Sequence, residues 1–88
     1  MTVEVLYHDG CPHARSAIDM VRRCVARLGL GVVIVEDEGD HPSPTVLVNG
    51  YDVMGIRPAS GRSCRLDLPT EDRIVDALQA AKLKPHNR

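Results

Sequence analysis

The feature that most constrains the fold is a helical period between two short apolar segments. One apolar stripe recurs at spacings of three and four: Ala14, Ala17, Ile18, Val21, Cys24, Val25 and Leu28. This spacing predicts an amphipathic helix, and Gly29 and Gly31 indicate its end. Apolar, valine-rich runs precede it at residues 2–7 and follow it at 32–35. A helix that joins two strands predicts that the strands are parallel, with a right-handed crossover. The run at residues 32–35 is apolar without interruption, which predicts a buried strand.

A hairpin is predicted after the second strand. Thr45–Val48 is apolar and is followed by Asn49-Gly50, the dipeptide favoured in two-residue hairpin turns. Residues 51–54 should therefore pair back as an antiparallel edge strand. The stretch between the second and third strands, "EDEGDHPSP", is polar and contains a glycine and two prolines, which predicts a loop. Its acidic residues lack the oxygen spacing of a calcium loop, so exposure to solvent is favoured over cation binding.

A second helix is predicted after Thr70. Thr70 is a suitable N-cap, and Glu71 and Asp72 would occupy the first turn, where the helix dipole favours acidic residues. Its buried stripe comprises Ile74, Ala77, Leu78 and Ala81. The order β-α-β-β-β-α, or a shorter variant of it, predicts an α/β fold with two helices on a four-stranded mixed sheet. We expect one domain over residues 1–84 and a C-terminal tail over 85–88.

Composition excludes several classes of function. The 88 residues include two Tyr and no Phe or Trp, so aromatic side chains for stacking on bases are scarce. The net charge of −1 also lacks the basic character of nucleic-acid-binding proteins. Neither a secretory leader nor an apolar run of roughly 20 residues is present, so we expect a cytoplasmic protein without a membrane partner. In a reducing compartment, the three cysteines are expected to be free, catalytic or metal-binding.

Cys11 is the first candidate site residue. It lies in "HDGCPHAR", between the first strand and the helix, and Pro12 suits the first helical position. Unpaired N–H groups and the positive end of the helix dipole favour thiolate over thiol there. His13 adds positive potential, whereas Asp9 opposes it. The alternative is that Cys11 is a partly buried cap residue without a role.

The motifs "GCPHA" and "SPTVLVNG", in this element order, resemble the thioredoxin-like superfamily over nearly the whole chain, with glutaredoxins closest in size and layout. Cys11 matches the active-site cysteine, Pro44 matches the cis-proline before the third strand, and Asn49-Gly50 matches the hairpin turn. Ala14 replaces the second cysteine of the usual Cys-x-x-Cys motif, so exchange within that motif is not expected.

The resemblance implies a thioredoxin-like fold and a thiol–disulfide oxidoreductase with Cys11 as the catalytic thiol. Its partner would be a small thiol or a protein disulfide. No bound cofactor is implied, and glutathione would be the co-substrate of a glutathione-linked version. Pro12 and His13 would contribute to substrate binding, with Pro44 as the floor of the site. The backbone around Ser43 and Thr45 would hydrogen-bond an extended substrate.

The other two cysteines have different predicted roles. Cys24 follows Cys11 by roughly 20 Å of helix and is predicted to be a buried small apolar residue. In glutaredoxins the loop that matches "SGRSCRLD" approaches the active-site cysteine, so the resemblance implies that Cys64 can approach Cys11. If the two sulfurs meet, either Cys64 resolves a mixed disulfide on Cys11, or the loop holds a thiol substrate while Cys11 works alone. Arg62 and Arg65 would make the surroundings of Cys64 electropositive. Alternatively, Cys64 anchors this loop in the core.

Two further functions stay open. Cys11 and Cys64 together suit a soft metal ion such as mercury or copper(I). The segments "SPTVLVNG" and "SCRLDLPT" also resemble small actinobacterial proteins labelled as alkylmercury lyase relatives. The last alternative is a redox-inactive module of the same fold.

His8, close to Cys11 in sequence, either tunes a thiol or is a hydrogen-bonded structural residue.

Overall fold

One strand precedes the first helix and five strands lie between the two helices in the computed structural model, which describes residues 1–55 and 61–83. The strands are β1 (Val3–Tyr7), β2 (Ile34–Glu38), β3 (Pro42–Ser43), β4 (Thr45–Val48), β5 (Tyr51–Asp52) and β6 (Ser63–Cys64). The helices are α1 (Ala14–Arg27) and α2 (Glu71–Leu83). The predicted α/β class with two helices is confirmed.

The main sheet has four strands in the order β2-β1-β4-β5. β1 runs parallel to β2 and antiparallel to β4, and β4 runs antiparallel to β5, so the predicted mixed sheet is confirmed. Both helices pack on this sheet and on each other, α1 against β1 and α2 against β4. The side chains at the centre of the core are aliphatic, apart from one cysteine. The fully buried apolar side chains include Val3, Val5, Val21, Val46, Ile74, Leu78 and Cys24.

The second strand differs from its prediction in bounds and burial. β2 spans Ile34–Glu38 instead of residues 32–35, because the acidic residues continue the parallel pairing as far as Tyr7↔Glu38. It is an edge strand, with Val33 81% and Val35 44% exposed, so the prediction of a buried strand was wrong. Because β2 has a neighbouring strand on one side only, its charged side chains can reach solvent at the sheet edge.

Helix α1 begins two residues later than expected and ends as expected. His13 is its N-cap, and Pro12 lies in the preceding turn, because the chain leaves β1 through Gly10 with a φ of 81°. At its end, Gly29 has a φ of 67° and donates its N–H to Ala26 O at 3.1 Å, while Leu30 N–H donates to Val25 O at 3.1 Å. These paired bonds form a Schellman motif.

The hairpin turn is confirmed, but the strand after it is short. Asn49 and Gly50 have φ angles of 52° and 84°, as a type I′ turn requires. β5 ends at Asp52 instead of residue 54, because the Asp52 carboxylate accepts the Met54 N–H at 2.9 Å and turns the chain. The sequence also did not predict the pairing of β3 with β6, which form a separate parallel two-stranded sheet.

The start of α2 follows its prediction. Thr70 Oγ1 accepts the N–H of Arg73 at 3.2 Å, which is the expected N-cap bond. Ile74 and Leu78 are fully buried, and the helix ends at Leu83. The predicted tail, residues 85–88, lies outside the described residues, as do residues 56–60 of the predicted loop. Of the helices described, neither has the length and apolar character needed to span a membrane.

Candidate functional site

Cys11 lies in the turn between β1 and α1. Its N–H donates to the carbonyl oxygen of His8 at 3.3 Å, and its own carbonyl accepts the N–H of Ala14 at 3.3 Å. Its side chain is partly exposed and borders a pocket of about 190 Å³. The pocket is lined by Tyr7, His8, Asp9, Gly10, Cys11, Ala14, Arg15, Ile18 and Glu36. Cys11 therefore borders an open depression on the surface.

The predicted substrate-binding residues beside Cys11 are exposed. Pro12 and His13 both face solvent, and His13 provides the N-cap of α1. Cys11 thus lies three residues before the first helical residue, farther from the helix end than expected. Activation of its thiol by the helix stays a prediction.

His8 contacts both cysteine-bearing segments, through its backbone on one side and its ring on the other. Its imidazole is 7% exposed, and Nδ1 lies 3.0 Å from the carbonyl oxygen of Asp9. The other ring nitrogen, Nε2, lies 3.8 Å from Cys64 Sγ, within hydrogen-bonding range for sulfur. Since the backbone carbonyl of His8 also holds the Cys11 N–H, this one residue contacts both cysteine-bearing segments.

Cys64 is held opposite His8 by a short strand pairing. It lies in β6, in register with Ser43 of β3, and the next residue, Arg65, donates its N–H to Ser43 O at 2.9 Å. Its side chain is exposed. The alternative that Cys64 anchors the loop in the core is therefore wrong, because the adjacent Arg65 does so.

The side chain of Arg65 is 2% exposed and joins three parts of the chain. Nη1 contacts Asp52 Oδ2 at 2.7 Å and donates to Thr45 Oγ1 at 3.0 Å, while Nη2 contacts Asp67 Oδ2 at 2.6 Å. Hydrogen bonding to Asp67 raises the pKa of Arg65, and the same bond lowers the pKa of Asp67.

The predicted electropositive surroundings of Cys64 need correction. The charge of Arg65 is balanced by Asp52 and Asp67, and Arg62 lies 3.5 Å from the carboxylate of Asp40. Both arginines are therefore engaged with acidic partners.

The segment before β4 is buried. The Ser43–Pro44 peptide bond is cis, as the resemblance implied. Thr45 Oγ1 donates to Pro42 O at 2.7 Å and accepts from Arg65, so this hydroxyl is already bonded. Ser43 Oγ is buried and has no hydrogen-bond partner among the residues that the structure describes. The role of Ser43, Pro44 and Thr45 in substrate binding stays a prediction.

Cys24 is a core residue, as predicted. It is 1% exposed, and burial, followed by the charge of Glu71, raises the pKa of its thiol. Over residues 1–55 and 61–83, no group of three or more His, Cys, Asp or Glu side chains is arranged to hold a metal ion. Soft-metal binding by Cys11 and Cys64 as a pair stays a prediction.

Comparisons with protein-family models, with curated proteins and with solved structures gave no significant match to this chain.

Proposed function

We propose that this protein is a small thiol–disulfide oxidoreductase with a thioredoxin-like fold, in which Cys11 and Cys64 are the working thiols. The observation that carries the proposal is that His8 contacts the two segments that carry these cysteines. Its carbonyl accepts the Cys11 N–H at 3.3 Å, and its ring lies 3.8 Å from Cys64 Sγ. Two cysteine-bearing segments from distant parts of the sequence therefore meet at one buried residue, and the Cys64 sulfur itself lies beside its ring.

The reaction would proceed by two successive exchanges. The Cys11 thiolate attacks a disulfide RSSR, forms the mixed disulfide Cys11–S–S–R and releases one RSH. The Cys64 thiolate then attacks the Cys11 sulfur, forms the Cys11–Cys64 disulfide and releases the second RSH. The substrate gains two electrons and two protons, and the two cysteines lose them. This sequence needs no second cysteine at position 14.

The pocket beside Cys11 supports a small disulfide as substrate. Its volume of about 190 Å³ accommodates the sulfur-bearing end of such a molecule. Arg15 contributes a positive charge to its lining, and Asp9 and Glu36 contribute negative charges. Of these two carboxylates, Glu36 is paired with Arg22. A zwitterionic thiol compound such as glutathione carries groups of both signs that can meet these charges.

Trapping the mixed disulfide tests this function. The reduced protein is treated with glutathione disulfide and followed by intact mass and peptide mapping. The wild type should form a Cys11–Cys64 disulfide, whereas Cys64→Ser should accumulate a glutathione adduct at Cys11. Cys24 stays in every chain as the internal control, because its 1% exposure keeps it unmodified in the folded protein. Modification of Cys11 and Cys64 no faster than in the urea-unfolded chain would contradict the proposal.

A further inference from the structure

His8 and Cys64 have the geometry of an acid–base pair. The imidazole has one nitrogen, Nδ1, 3.0 Å from the Asp9 carbonyl oxygen. A carbonyl oxygen only accepts, so Nδ1 carries the proton of the neutral ring. Nε2 is then the basic nitrogen, and it lies 3.8 Å from the Cys64 sulfur. The arrangement of a thiol, a base and a third group that orients the base is typical of activated cysteine nucleophiles.

His8 is buried and Cys64 is exposed, as a shielded base beside an accessible thiol requires. His8 is 7% exposed, so its ring is held in one orientation. Cys64 is exposed, so its sulfur is accessible to a reagent on its other side. A shielded base next to an accessible thiol can take the proton without blocking attack.

The position of Cys64 is fixed by contacts on its own strand. β6 pairs with β3, and Arg65 adds a backbone bond to Ser43 O at 2.9 Å. The Arg65 side chain is bound to Asp52 and Asp67 at 2.7 and 2.6 Å. Arg65 therefore acts as a positioning residue that keeps Cys64 within reach of His8.

We infer that His8 is the base that activates Cys64, so that Cys64 attacks disulfides as a histidine-assisted nucleophile. The inference rests on the proposed function for its substrate class. In the step, Nε2 takes the proton of the Cys64 thiol. The thiolate forms a bond to one sulfur of RSSR, the S–S bond breaks, and the leaving RS⁻ takes the proton from the imidazolium. In the catalytic sequence, the attacked disulfide is Cys11–S–S–R.

Several other charged and titratable groups surround this pair. The turn after β1 contributes Asp9 and Cys11, β1 contributes Tyr7, α1 contributes Arg15 and β2 contributes Glu36, all lining the pocket that His8 borders. On the β6 side, Arg62 and Arg65 are each paired with acidic residues. Since these charges are the same in a His8 variant, comparison of pH profiles isolates the contribution of the imidazole.

The first test measures Cys64 alone. In a Cys11→Ser chain, the rate of modification at Cys64 is measured with glutathione disulfide and with iodoacetamide, with and without His8→Gln. We expect His8→Gln to slow both reactions about tenfold at pH 7. An ordinary thiol is only about 3% ionised there, and the gain from full ionisation is partly offset by lower nucleophilicity. The difference should vanish above about pH 9.5, where an unassisted thiol is ionised.

Cys11 provides the matched control. In a Cys64→Ser chain, His8→Gln should change the Cys11 rates by less than about twofold, because the contact of Cys11 with His8 uses the backbone carbonyl. Equal slowing of both cysteines, or a wild-type advantage that is constant with pH, would overturn the inference. If both cysteines exchange normally and His8→Gln has no effect, the inference fails and the proposed function stands. If glutathione disulfide reacts with neither cysteine, the proposed function fails, and iodoacetamide still reports on the pair.

A measurement on the wild type guards against a variant that does not fold. Long-range ¹H–¹⁵N NMR of the neutral His8 ring should show the proton on Nδ1. A proton on Nε2 would leave no basic nitrogen facing Cys64 and would overturn the inference.

Discussion

The hydroxyl of Ser43 is an isolated polar group in the core. It is buried without a hydrogen-bond partner in the described part of the chain, whereas the hydroxyl of Thr45 has two. An unsatisfied buried polar group costs about 1–3 kcal/mol. The two hydroxyls therefore have opposite expected effects on stability, although they lie two residues apart.

Replacing each hydroxyl separately tests this difference. We expect Ser43→Ala to leave the free energy of unfolding unchanged or to raise it by up to about 1 kcal/mol. Thr45→Val should lower it by about 1–2 kcal/mol, because Pro42 O and Arg65 Nη1 lose a partner. Urea unfolding measures both values. A loss of more than about 1 kcal/mol in Ser43→Ala would mean that its hydroxyl is hydrogen-bonded.

Single residues were predicted well where the signal is local. The Thr70 cap, the Asn49-Gly50 turn and the buried Cys24 each depend on neighbours within a few positions. The link between His8 and Cys64 joins residues 56 apart in sequence, so no local pattern encodes it. The sequence placed His8 close to Cys11, but it did not identify His8 as the neighbour of the Cys64 sulfur.

At the scale of elements, the chain was predicted correctly where hydrophobic period and turn chemistry agree. Both helices and β4 follow their patterns. β2 deviates because an edge strand tolerates acidic residues, and β6 has only two residues, too short for a periodic signal. β6 is held by its pairing with β3 and by the side chain of Arg65, whose partners Thr45 and Asp52 lie in β4 and β5 and whose partner Asp67 lies two residues further along the chain.

Removing this side chain should destabilise the fold strongly. Arg65→Ala leaves Asp52, whose side chain is 3% exposed, without its cation, and we expect a loss of about 3–5 kcal/mol in the free energy of unfolding. Arg62→Ala is the matched control, since Arg62 is exposed and lies 3.5 Å from Asp40, and should cost less than about 1 kcal/mol. Chemical denaturation compares the two. Similar small losses would show that Arg65 does not hold β6.

For the whole molecule, the Arg65–Asp67 pair predicts a free energy of unfolding that depends on pH. Arg65 holds the pKa of Asp67 below its ordinary value of about 3.9. A carboxyl with a lowered pKa in the folded state stabilises the protein above its unfolded pKa, and this contribution is lost as pH falls through the folded value. The protein should therefore lose stability below about pH 4.

Asp67→Asn tests this contribution. At pH 7 the variant should be less stable than the wild type, by a modest amount because the Asp67 side chain is 48% exposed. On acidification below about pH 4, the difference between the two proteins should shrink, since the wild type then loses the charge that the variant lacks. Thermal unfolding between pH 2 and pH 7 provides the measurement. A difference that stays constant would assign the effect to packing.

The distance along the chain between His8 and Cys64 has a consequence for how the protein is made. During synthesis His8 emerges before Cys64, which follows 56 residues later in β6 and is positioned by contacts with β3. Before the sheet closes, Cys64 is an ordinary thiol without a base beside it. If His8 is the base that activates Cys64, this thiol reacts no faster than an ordinary thiol in an incompletely folded chain. The reactivity of Cys64 also becomes a built-in reporter of the native state, rising when the last contacts form.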